Sequence, residues 1–140
     1  MTGVFITVDT ELSVGRHVRG LGAHANLCES VFGVCGQGTF GIQHQIRRLD
    51  AYGLKAAFFI DPMPAQVFGL DIIKRAVAPV LEAGHEAQLH IHTEWLPYMT
   101  IDPLDGRRGG CIRDFSYADQ RLLLEMAREL LIAAGAPPPL

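Results

Sequence analysis

The chain has 140 residues, 49% hydrophobic and 19% charged, which fits one globular domain able to bury a core. Its 12 basic and 15 acidic residues leave a net charge of −3 with no block of one sign, so the composition points to neither nucleic acid nor an anionic membrane as a partner. No apolar run approaches the roughly 18–20 residues that span a bilayer, and no signal peptide opens the chain, so it is expected to be cytoplasmic.

"VFITVDTE" opens the chain with an apolar, β-branched run that ends in acids. It predicts a buried strand near residues 3–9 with carboxylates at its carboxyl end. From Leu12 to Gly41 the sequence carries seven glycines and predicts a long irregular loop, a feature that is often functional. "IQHQIRRLDAYG" predicts a helix with Ile42, Ile46 and Leu49 on one face and Gly53 as its stop. "LKAAFFI" predicts a second buried strand near 54–60, closed by "DPMP". A helix over Asp71 to Ala83, interrupted by Pro79, leads to Gly84 and a third strand near 86–92 in "HEAQLHIH". After a polar loop, Ser116 caps a long amphipathic helix that ends at Gly135. The alternation β-α-β-α-β-α calls for parallel strands joined by crossovers. The fold class is therefore α/β, with three βα units and an open sheet.

Two constellations carry chemistry. Side chains alternate along a strand, so Asp9 and Glu11 share one face, and His90 and His92 share another. Both pairs fall at carboxyl ends, where parallel α/β folds build their sites. Two imidazoles with one or two carboxylates suit zinc or a similar divalent ion, and a catalytic zinc needs about three protein ligands and an open position. The plainer reading of either pair alone is a solvated or helix-capping side chain; two pairs at the same end of one sheet favour the site. His85, at the opposite end of the third strand, reads as structural. His17, His24 and His44 lack a partner at ligand spacing and read as loop or surface residues. Cys28, Cys35 and Cys111 lack C-x-x-C spacing and read as reduced thiols.

A rival motif is "GQGTFG", Gly36 to Gly41, which fits G-x-G-x-x-G. A helix follows it, "VFGVC" before it could pass for a strand, and Asp61 lies where a ribose-binding acid belongs. On this alternative the chain is a nucleotide-binding α/β module using Gly36, Gly38, Gly41 and Asp61. A third reading is a non-catalytic remnant whose acids and histidines are vestigial.

"VFITVDTE", "GLKAAFFID" and "AGHEAQLHIHTEW", in this order and spacing, resemble the polysaccharide deacetylase family (carbohydrate esterase family four), in particular a divergent branch. The resemblance covers nearly the whole chain and the amino-terminal part of a family domain, so residues 1–140 are expected to form a single incomplete domain. It implies about three βα units of a distorted (β/α) barrel and metal-dependent hydrolysis of an acetamido or acetyl group on a sugar. The family's first motif, usually T-F-D-D-G, reads Thr7-Val8-Asp9-Thr10-Glu11 here. Asp9 matches the general base, Thr10 stands at the metal position, and strand alternation moves that role to Glu11. In the second motif, H-S/T-x-x-H, His90 matches the first ligand and Glu94 occupies the place of the second, with His92 as a further candidate. The implied site is thus Asp9 as catalytic base and Glu11, His90, His92 and Glu94 around a divalent metal, Zn2+ for preference. His92 is favoured as ligand, with Glu94 orienting an imidazole. The implied partner is an acetylated carbohydrate, and the open sheet edge of such a fragment is expected to self-associate.

Overall fold

The computed structural model describes residues 3–139. Three parallel strands form the main sheet: β1 (Thr7–Thr10) at one edge, β4 (Ala57–Ile60) in the centre and β5 (Glu86–Leu89) at the other edge. The register aligns Thr10 with Ile60 and Ile60 with Leu89, so the three carboxyl ends finish level. Two further bonds carry the ladder one step on, Asp61 N–H to the Thr10 carbonyl and His90 N–H to that of Ile60, each 3.1 Å. The strands are parallel, as the alternation of elements requires, and the sheet is open, with no closed barrel among the described residues.

All three strands are shorter than expected, the central one beginning at Ala57 and not near Leu54. Val4 and Phe5 lie outside β1 and are 82% and 93% exposed. The physical reason is the central strand. Leu54 and Lys55 lie ahead of β4, so residues before Ile6 have no parallel partner. β5 likewise ends at Leu89, level with its partner, and the chain turns into a 3-10 helix over Thr93–Tyr98.

One sheet face is apolar and covered. Phe58, Ile60 and Ala87 are buried, whereas Thr7, Asp9, Ala57, Phe59 and Glu86 on the alternate face are exposed or half-buried. α3 (Ile42–Ala51) contributes Ile42 and Ile46 to the core, and α5 (Asp71–Glu82) contributes Ile72, Ile73, Ala76, Val77 and Val80. Pro79 sits inside α5 without ending it. α6 (Tyr117–Ala133) begins at Ser116, whose hydroxyl accepts from the Asp119 amide, and buries Leu123, Ala127 and Leu131. A short α4 (Ala65–Phe68) follows β4. No helix among the described residues is long and apolar enough to cross a membrane.

The expected irregular loop is largely ordered instead. It contains α1 (Val14–Val18), α2 (Ala23–Ser30) and a two-stranded antiparallel hairpin of β2 (Val34–Cys35) and β3 (Gly38–Thr39). Buried Asn26 organises it, accepting from the Ser13 amide at 3.0 Å and donating to the Ser13 carbonyl at 2.8 Å. The "GQGTFG" segment is therefore the turn and second strand of a hairpin outside the parallel sheet. Its Gly41 is the N-cap of α3. The strand–loop–helix geometry that a dinucleotide fingerprint requires is not formed, and Asp61 is 1% exposed where a ribose-binding acid would need to face a ligand.

Candidate metal centre

Strand alternation carries Glu11 just past β1 and His90 and His92 just past β5, and the level register brings them together across the carboxyl edge. The Glu11 Oε2 lies 2.6 Å from His92 Nε2 and 3.3 Å from His90 Nε2, and the two imidazole Nε2 atoms are 2.8 Å apart. These are the ligand atoms of one cluster of three, each within 4.8 Å of the others. All three side chains are partly exposed, which leaves an approach from solvent.

The donor set fits a divalent cation. Three potential donor atoms lie within 3.3 Å of one another, close enough to share one ion. Two neutral imidazoles and a carboxylate form a known catalytic zinc set, which keeps a fourth position open. Around a tetrahedral ion the two nitrogens would stand about 3.3 Å apart, slightly wider than here.

Glu94 does not join this cluster. It is exposed in the first turn of the 3-10 helix, and no hydrogen bond or ion pair joins it to either imidazole among the described residues. Expectation had put it on the metal or behind an imidazole. Because His92 is the last extended residue, the chain begins to coil at Thr93, and the alternation that aligned His90 with His92 stops there. Glu94 instead lines a polar cleft of about 380 Å³ with Glu11, Ser13, Arg16, Glu29 and Ser30. The Arg16 guanidinium donates to Glu29 at 3.0 Å in that cleft. Asp9 lies on the less covered face of β1, exposed, with no hydrogen bond or ion pair among the described residues.

Two contacts escaped sequence reasoning. His17, expected at the surface, packs among Phe68, Trp95 and Tyr98 at ring-centroid distances of 5.2, 5.7 and 4.9 Å, which ties α1 to the turn after His92. Asp61 lies beneath the cluster at the end of the central strand. Its Oδ1 accepts from the Met63 amide at 3.0 Å, and burial, with a smaller push from Glu11, raises its pKa to about 8. Its position straight after an apolar strand was the one available signal. His85 stands at the other end of β5, buried, and its Nδ1 accepts from the Ala56 amide at 3.2 Å. Cys28, Cys35 and Cys111 are free.

Compared with protein-family models, with curated proteins and with solved structures, the chain matched nothing.

Proposed function

We propose that this chain carries the metal centre of a hydrolase that removes acetyl groups from acetylated carbohydrates, the activity that its resemblance to the polysaccharide deacetylases implies. On this reading the sheet is the first part of a distorted (β/α) barrel. The observation that carries the proposal is the convergence of Glu11, His90 and His92 at the carboxyl edge of a parallel sheet.

Glu11, His90 and His92 would hold a divalent cation, zinc for preference. What the ion supplies is polarisation of a substrate carbonyl and a lowered pKa for water. Asp9, two residues before Glu11 on the same face, would serve as the general base that takes a proton from the attacking water. The cleft beside Glu11, lined by hydroxyls and charged groups, accepts a hydroxyl-rich substrate.

Zinc affinity of the purified chain tests this assignment. His90→Ala and His92→Ala should each abolish high-affinity binding, whereas Glu94→Gln should change it by less than about tenfold, the lower bound for a group that orients a ligand. Equal zinc affinity in wild type and His90→Ala would remove the metal centre, and with it the proposed hydrolase. A larger loss in Glu94→Gln than in His92→Ala would restore the histidine–glutamate pair that family spacing implies.

A further inference from the structure

We infer that Asp61 is a positioning residue for this metal centre, holding the His92 main chain and the Trp95 indole in place beneath Glu11; the inference rests on the centre proposed above.

Three observations place Asp61 there. Its amide donates to the carbonyl of Thr10, the residue before Glu11, and the neighbouring Ile60 carbonyl accepts from the His90 amide. Asp61 is thus the central residue between the two segments that deliver the ligands. Its side chain is buried, and the His92 amide and the Trp95 indole N–H both face the carboxyl. Oδ1 caps the turn at Met63, yet Oδ2 has no hydrogen-bond partner.

That orphaned oxygen is the feature that the fold alone leaves unexplained. A turn cap at Met63 needs one oxygen, and a buried polar atom without a partner is costly. Pairing with the segment that carries the ligands would give Oδ2 a use. His90 Nε2 and His92 Nε2 both lie within 3.3 Å of Glu11 Oε2, so a cation held by the three depends on where the His92 main chain sits. A hydrogen bond from the His92 N–H to Oδ2 would fix that main chain. Trp95 is the only tryptophan of the chain, fully buried, with its indole N–H facing the same carboxyl, so its resonance reports on the pairing.

Zinc titration by calorimetry, Co2+ absorption spectra and the indole 15N–1H resonance of Trp95 test the inference on the full chain. Asp61→Asn should bind zinc roughly 10–100-fold more weakly, as losses behind a ligand do, and should shift the Co2+ bands. In wild type the indole resonance should move as zinc saturates, and in His90→Ala it should stay. Wild-type affinity together with wild-type Co2+ bands in Asp61→Asn overturns the inference. Should that variant not fold, an indole resonance that stays put while wild type binds zinc overturns it equally. Equal zinc affinity in wild type and His90→Ala would instead strike the metal centre first, and Asp61 with it.

Discussion

Two buried titratable residues bracket the sheet, and their pKa values move in opposite directions. At the carboxyl end, burial pushes the Asp61 carboxyl up to about 8, with the Glu11 carboxylate adding to the rise. Its contribution to stability is complete below the ordinary carboxylate value and is lost as pH rises through about 8. At the amino end, burial and then the Lys55 charge lower the pKa of His85, with Asp50 opposing them. That contribution is present above the ordinary histidine value and is lost as pH falls through the folded one. In chelator-treated protein, Asp61→Asn should therefore flatten the loss of stability as pH climbs from about 4 to 8, an interval set by the ordinary and raised values. Urea midpoints across that range measure it. An unchanged slope in the variant would mean that Asp61 is not held protonated by its surroundings.

At the scale of elements, the glycines of "GQGTFG" divide by what their backbones need. A Cβ on Gly41 would fall 2.1 Å from the Val31 carbonyl oxygen, main chain against main chain, where the hairpin closes on the start of α3. A Cβ on Gly36 would meet nothing within 4 Å, and no left-handed backbone is recorded there. Gly41→Ala should thus destabilise the chain by about 1–3 kcal/mol, the usual cost of forcing atoms into a filled space. Gly36→Ala should stay within about 0.5 kcal/mol, as surface changes do. Thermal melts of the two variants read the difference. Equal melting temperatures would mean that the segment tolerates a shift of the hairpin and that this glycine has some other use.

For the whole molecule, α6 decides how firmly β5 is held, since it packs against the strand that delivers both histidines. Leu123 is completely buried on its inner face, and Leu124 is 40% exposed. Leu123→Ala should cost about 2–5 kcal/mol through lost burial and the cavity left behind, while Leu124→Ala should cost well under 1 kcal/mol. Denaturant unfolding separates them. Indistinguishable variants would show that α6 is not part of the cooperative core.

Much of the fold was legible because its signals are local. Apolar runs of strand length alternating with helical patterns demand parallel strands, and alternation along a strand put Asp9 with Glu11, and His90 with His92, on shared faces without any long-range knowledge. The strands were each misjudged by a few residues, because a strand extends only as far as its neighbour can pair with it. Glycine content in the segment after Glu11 suggested irregularity, but a buried Asn26 that satisfies both main-chain groups of Ser13 turned much of it into helices. Glu94 stands apart from the two imidazoles because alternation ends where the chain begins to coil at Thr93, a point set by tertiary packing around Trp95 and Leu96. The sequence by itself determined the order of the three parallel strands and their main helices and which residues could be ligands. Only the tertiary structure decided which of them meet, because a ligand set depends on the register between strands dozens of residues apart. The burial of Asp61 belongs to the same class, since it exists only once both neighbouring strands have closed over it.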